Sequence, residues 1–385
     1  MWMYSWHELI ALTAAALALD LLIGDPKWPT HPVIYIGRWV RFVERKLRPR
    51  TAGGVGGKAD AGTPPQAGAN SLEQGAAVGT AGPESTAAGG SGREEAAASR
   101  LTDGVTSARA AESSSRVKWQ GVVLTGTTVL LSFGAMYGLT LLADWVHPWL
   151  GYAVSIWFIA STIAVKGLKQ AAYRVYEPLR QGDLEAARKY TGYIVGRDTA
   201  ALDEKELTRA VVETVAENIV DAVIAPLLYA ALGGAPLAMA YRAANTLDSM
   251  VGYRNDAYRD FGWASARWDD VLNWVPARLT GALMVGVALL TPGLSAQRAA
   301  RAIRRFARLH PSPNSGIPES AAAGALGIEL GGLNVYGGVP SERARMGWPM
   351  RERTQRDIDL AVRMLYGVSL LAMGGLLCVI ALFGR

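Results

Sequence analysis

Residues 209–234 read RAVVETVAENIVDAVIAPLLYAALGG, and the two halves ask for different surroundings. The first half repeats a carboxylate every four residues, at Glu213, Glu217 and Asp221. From Ala222 to Tyr241 the chain then carries no charge for twenty residues. Steps of four advance about 40° on an α-helix, so the three acids share one face. Val212, Val215, Ile219 and Val223 fall on the other. A solvated amphipathic face would give the same pattern. Against that, like charges at i,i+4 repel, and three in a row want a cation or an arginine. The stripe also runs into apolar surroundings, where an uncompensated carboxylate is expensive. Hard oxygen ligands of this kind suit Mg²⁺ bridging to a phosphate. Glu213, Glu217 and Asp221 are therefore candidate metal ligands and catalytic residues.

The rest of the chain explains the apolar half. Of 385 residues, 50 % are hydrophobic and only 19 % charged, with a mean hydropathy of +0.14. Soluble domains carry about 25 % charged residues, so the balance leans toward membrane. Charge-free windows cover 119–143, 148–165, 279–297 and 364–384, and 9–24 is apolar apart from Asp20. Roughly 20 apolar residues suffice to span a bilayer. The first window lacks the basic flank of a signal peptide, because no Lys or Arg precedes Lys27. A net charge of +6 then marks cytoplasmic loops and does not call for nucleic acid. The single cysteine, Cys378, excludes an intramolecular disulfide.

Three pieces follow: 1–50, a membrane helix with a GDP/HP loop; 51–118, a Gly/Ala/Ser-rich insertion without aromatic residues; and 119–385, a membrane-embedded catalytic domain. The insertion is expected to be disordered, since it cannot bury enough apolar surface to offset its conformational entropy. Basic residues follow the first helix, from Arg38 to Arg50, and recur in 166–210, 242–278 and 298–308. The N-terminus should lie outside and these regions inside. Successive inside regions force the apolar pieces between them into re-entrant or protein-buried positions, and GGAP at 233–236 breaks 222–241 accordingly. The expected fold class is all-α: a polytopic integral membrane protein with re-entrant or broken helices and cytoplasmic helical loops.

Further polar groups cluster near these breaks. YRAANTLDSMVGYRN (241–255) places Arg242, Asn245 and Asp248 at helical spacing, with Arg254 beyond them. WDDVLNWVPARLTG (268–281) sets Asp269, Asn273 and Arg278 just before an apolar helix, although an interfacial belt of Trp268 and Trp274 accounts for the position equally. In HPSPNSGIPESAAAGALGIELGG (310–332), Pro318 suits a first helical position and Glu319 a first turn. Asn314, Ser315 and Gly316 then offer backbone N–H groups at a helix N-terminus, a natural anion site or an ordinary cap. His31 and Arg38 lie in the proline-rich GDPKWPTHPVIYIGR (24–38).

These long motifs, together with VGRDTAALDEKELTRAVVETVAENIVDAVIAPLLY (195–229), resemble the adenosylcobinamide-phosphate synthase family of cobalamin biosynthesis over about 20–48 and 150–340. The insertion departs from the family, which has a shorter connection there. The resemblance implies a multi-pass inner-membrane enzyme with its active site facing the cytoplasm. It would join (R)-1-amino-2-propanol or its O-phosphate to the propionate carboxylate of adenosylcobyric acid, consuming ATP with Mg²⁺ and holding no tightly bound cofactor. The candidate residues then divide into catalytic Glu213, Glu217, Asp221 and Asp248, with the first three holding metal, and substrate-binding His31, Arg38, Arg242, Asn245, Arg254, Asn273, Arg278, Asn314, Ser315, Gly316 and Glu319. The rival readings are a transporter with intramembrane carboxylates, for which an internal repeat is missing, and a scaffold for other cobamide-assembly enzymes.

Overall fold

The computed structural model describes residues 4–24, 31–48, 92–253, 255 and 258–383. Thirteen helices appear among them in the order α1 (Trp6–Leu22), α2 (Pro32–Leu47), α3 (Gly92–Val146), α4 (Pro148–Ala160), α5 (Val165–Arg180), α6 (Leu184–Thr191) and α7 (Glu204–Ile219). After α7 come α8 (Ala225–Val251), α9 (Trp263–Leu272), α10 (Trp274–Leu290), α11 (Ala296–Phe306), α12 (Gly316–Leu326) and α13 (Arg356–Phe383). One antiparallel pair interrupts the all-α plan: β1 (Glu329–Tyr336) and β2 (Val339–Gly347). Their turn is Gly337-Gly338, both at positive φ (56° and 81°), the backbone a tight hairpin turn demands.

Residues 92–118 differ from the sequence expectation. They belong to α3, whereas the composition of 51–118 suggested disorder; residues 51–91 lie outside the described residues. Ala, Glu, Arg and Leu recur from 93 to 110, and these are good helix formers. They also extend a helix already nucleated by its apolar half, so the costly first turn is not repeated.

Four segments are long and apolar enough to cross a membrane: Ser114–Val146, Pro148–Arg180, Glu204–Val251 and Arg356–Leu382. A fifth is the pair α9 and α10, bent by 46° at Asn273. Glu204–Val251, however, does not run straight. Twenty residues of helix would separate Asp221 from Tyr241 by about 30 Å. Yet the Tyr241 hydroxyl donates to the Asp221 carbonyl at 3.3 Å, and the Tyr229 and Tyr241 rings stack with centroids 5.1 Å apart. The chain turns back at Gly233 (φ −157°, ψ 24°) and Gly234 (φ 65°, ψ −157°), and Pro236 opens the returning leg. The α8 segment is thus a re-entrant helical hairpin, as GGAP foretells. Its irregular tip is covered by protein: 78 % of its most apolar window is buried, against 22 % in Ser114–Val146 and 17 % in Arg356–Leu382. At that tip a Cβ on Gly234 would sit 3.2 Å from Leu9 of α1.

Two details set the mouth of this hairpin. Between α7 and α8 lies a single π turn, Val220–Ile224, whose extra residue swings Asp221 relative to Glu217. The N-terminus of α5 has no side-chain cap of its own, and the buried Asp20 of α1 accepts from the amides of Val165 and Lys166 at 2.9 and 3.4 Å. Asp20 therefore satisfies a helix end inside the bundle, which accounts for the one charge in the first apolar window.

Candidate functional site

The mouth of the hairpin holds a narrow recess of about 30 Å³, partly open to solvent. Five carboxylates line it: Glu217 from α7, Asp221 from the π turn, Asp248 near the end of α8, and Asp269 and Asp270 from α9. Neutral amides fix the acids in place. Asn273, at the bend between α9 and α10, donates to Asp269 Oδ2 at 2.9 Å and accepts from the Tyr241 hydroxyl at 2.9 Å. Asn245 donates to Asp269 Oδ1 at 3.4 Å and accepts from Arg242 Nη1 at 3.5 Å. The loop before α12 closes the wall through Ser312, Asn314 and Ser315. Asn314 Nδ2 donates to the Asp270 carbonyl at 2.8 Å, while its buried Oδ1 has no partner among the described residues. A buried acceptor without a donor beside five acids is a place for a cationic or N–H-bearing ligand.

Glu213 has a different fate. It accepts from Arg197 Nη2 at 2.5 Å, from Arg209 Nη1 at 3.3 Å and from the Gly331 amide at 2.8 Å. Arg209, 1 % exposed, spends its remaining donors on Glu206 and on the Gly331, Leu333 and Asn334 oxygens of β1. Where the sequence suggests a metal ligand and catalytic acid, Glu213 accepts from two guanidinium groups and an amide, and it ties α7 to the β-hairpin. Glu319 joins the same buried network, with Oε1 3.7 Å from His310 Nε2. Burial first, and then the Glu213 and Glu217 carboxylates, push its pKa well above the ordinary value. Arg343 of β2 is shifted up as well: burial pulls it down, but Tyr336, Glu319, Glu213 and Glu217 outweigh that. It does not line the recess, and neither does Glu319.

The loop at 310–319 also differs from the anion site expected there. The amides of Asn314 and Ser315 are taken by Ser312 Oγ at 3.3 and 3.4 Å, and that of Ser312 by His310 Nδ1 at 3.0 Å. Ser315 makes no cap bond and donates its hydroxyl to Glu217 Oε1 at 3.0 Å. A phosphate at that hydroxyl would face a carboxylate. Gly316 serves packing, since a Cβ there would meet the Ala307 carbonyl at 2.3 Å. The helix starts at Gly316, so Pro318 is its third residue and not its first.

Other expected ligand residues sit outside the recess. His31 caps α2, accepting from the Val33 amide at 3.3 Å. Arg38 is exposed on α2, its guanidinium 5.7 Å from the Tyr35 ring. Arg278 stacks 4.0 Å above the Trp274 ring and donates to the Trp274 carbonyl at 2.7 Å. Arg254 lies outside the described residues. Sequence spacing brings Glu217, Asp221, Asp248, Asn245, Asn273, Asn314 and Ser315 to or beside the recess, and it misses Asp270 and Ser312. The WDD of 268–270 carried a signal for Asp270, a second acid beside one already singled out.

Among the described residues no three His, Cys, Asp or Glu side chains are close enough to cage a metal ion alone. All recess donors are hard oxygens, however, and Mg²⁺ usually takes only one or two carboxylates, with water and substrate phosphates completing its shell. The recess fits such a loosely held cation.

Fold and site define a polytopic helical membrane protein with a buried acidic site at the mouth of a re-entrant hairpin. Residues 95–365 match the family model described as CobD/Cbib protein. The chain is 42 % identical over 364 residues to the cobalamin biosynthesis protein CobD of Geobacter metallireducens, covering 94 % of each chain. Against the CobD protein of Halalkalibacterium halodurans, identity is 40 % over 358 residues, or 93 % of this chain and 92 % of the relative. Against the cobalamin biosynthesis protein CbiB of Salmonella choleraesuis it is 39 % over 366 residues, 95 % of both. No solved structure matches. The chain belongs to the CobD/CbiB family, and its role lies in cobalamin biosynthesis.

Proposed function

We propose that this protein is an ATP-dependent acid–amine ligase that amidates a corrinoid propionate with 1-amino-2-propanol or its O-phosphate. The observation that carries the reading is the convergence of five carboxylates and an unpaired buried amide oxygen at one recess. Such a site disfavours free anions and favours ammonium groups and Mg²⁺-bound phosphates. A carboxylate does not acylate an amine unaided at neutral pH, because its oxygen is a poor leaving group. Phosphoryl transfer from ATP to the propionate oxygen gives an acyl phosphate and ADP. The amine then attacks the carbonyl carbon, phosphate departs with the C–O electron pair, and the ammonium proton passes to a carboxylate. Mg²⁺, where bound, neutralises charge on the phosphate oxygens. Glu217, Asp221, Asp248 and Asp269 would supply its one or two protein ligands. The remaining acids orient the ammonium, and one of them acts as general base. Asn245, Asn273 and Tyr241 keep Asp269 and the π turn in register for this work.

The site would face the cytoplasm of the cell inner membrane, where ATP and the amine are available. The test is turnover by the purified chain in nanodiscs with adenosylcobyric acid, each amine and Mg-ATP, read by mass spectrometry. ADP release only when corrinoid and amine are both present, together with the amide product, is the expected result. ATP hydrolysis without product, or product without ATP, would overturn the reading. The transporter and scaffold alternatives both predict no product.

A further inference from the structure

A second concavity, which α8 touches through Met239, lies away from the recess. It measures about 330 Å³ and is formed by Tyr35, Ile36 and Trp39 of α2, Met136 and Leu139 of α3, Phe158 of α4 and neighbouring apolar side chains. That size is within the roughly 300–1,000 Å³ range of pockets that bury small molecules. None of the acidic residues of the recess reaches it, and apart from the Trp39 indole its lining carries polar side-chain groups only in the hydroxyls of Tyr35 and Ser132.

Three observations say what it takes. First, it opens beside the apolar outer surface of α3, where Leu130, Leu131 and Leu142 are exposed, so its surroundings are hydrocarbon. Second, α2 is sharply two-sided: Ile36 and Val40 are buried, whereas Arg38, Arg41 and Arg45 form an exposed stripe at i,i+3 and i,i+4 spacing. Arg38 lies 5.7 Å from the ring of Tyr35, which itself lines the groove. Third, the Trp39 indole N–H is buried at the groove and has no acceptor among the described residues. A buried donor without a partner calls for a ligand oxygen.

We infer that this groove is a binding site for an anionic phospholipid, with an acyl chain between α2, α3 and α4, an ester or phosphate oxygen at Trp39 Nε1, and the headgroup against Arg38 and Arg41. An apolar groove edged by cations matches that molecule at both ends. A corrinoid, edged with amides, matches neither.

The experiment is native mass spectrometry of the full chain released from nanodiscs containing equal phosphatidylglycerol and phosphatidylcholine. One retained phosphatidylglycerol is expected. Arg38→Gln should lower the preference for phosphatidylglycerol roughly five-fold, the equivalent of about 1 kcal/mol per basic residue near a membrane. Trp39→Phe, which keeps the packing, should weaken retention several-fold. Ala135→Trp, which fills the groove, should abolish it, and Leu142→Trp, on the outer surface of α3, should not. Equal retention of both lipids, no retained lipid, loss from both tryptophan variants, or displacement by saturating adenosylcobyric acid would each overturn the assignment.

Discussion

Glu213 and Asp221 stand two turns apart on the same stripe, and the protein uses them in opposite ways. Glu213 is clamped by Arg197, Arg209 and the Gly331 amide. Asp221, past the π turn, lines a recess with four other acids. Identical chemistry at identical spacing thus becomes a joint at one end and a site at the other. What separates them is the company supplied by distant elements: β1 reaches Glu213, whereas α9 reaches Asp221. Breaking a buried ion pair leaves an uncompensated charge, whereas neutralising one of several crowded acids relieves repulsion.

The comparison is broken most violently at the clamp. Arg209→Met should cost about 3–5 kcal/mol, because Glu213 would be left buried with half its compensation. A thermal melt of detergent-purified protein checks this, and a change below about 0.5 kcal/mol would show that the clamp does not hold α7. At the other end, Asp221→Asn should leave the melting temperature unchanged or raised while turnover falls about 10²–10⁴-fold, the range of a lost acid–base or metal-ligand role. Full turnover with an unchanged magnesium dependence would remove Asp221 from the site.

Two smaller changes sharpen the boundary between the regions. Ser315→Ala removes a hydroxyl that orients Glu217, a hydrogen bond to a charged group worth about 1.5–3 kcal/mol. Turnover should fall about ten-fold with the fold intact, as read by parallel activity and melting curves. Glu319 tests the buried network by pH. Its folded-state pKa is raised, so its contribution to stability is full below the ordinary glutamate value near about 4.3 and declines as pH rises above it. Glu319→Gln, which mimics the protonated acid, should match the parent near pH 4 and be the more stable protein at pH 8. Parent and variant melting in parallel across that window would show that folding does not raise the Glu319 pKa.

How much of this was legible depends on range. The re-entrant hairpin could be read locally, because a charge-free run interrupted by GGAP and bounded by basic segments admits few other foldings. Glu217, Asp221 and Asp248 could be read for the same reason, as acids at the edge of apolar helix. The clamp could not: Arg197 and Gly331 lie 16 and 118 residues from Glu213, and no periodicity connects them. The local half of it is present in RAVVE (209–213), an arginine four residues before the acid. Ser315 meets Glu217 where the sequence suggests a phosphate, since a helix N-terminus looks equally ready for a phosphate or a neighbouring carboxylate. The β-hairpin is absent from the all-α expectation; its only local mark is Gly337-Gly338 between two short runs, too weak a signal against the helical periodicity around it.

The two-legged α8 has a consequence for how the chain is made. Its tip and flanks rest on α1, α3 and α4, with Leu9 beneath Gly234, and all three precede it in sequence. During synthesis N-terminal parts generally fold first, so this chain order allows the cradle to form before residues 225–251 dock on it. A hairpin that enters and exits by the same face never translocates a hydrophilic segment. It can be seated late, by lateral docking into a finished cavity, and α9 then arrives to close the door with Asp269 and Asp270. Chain order thus favours assembly of the recess from α7 towards α9, with Asp269 and Asp270 the last of its carboxylates to be synthesised.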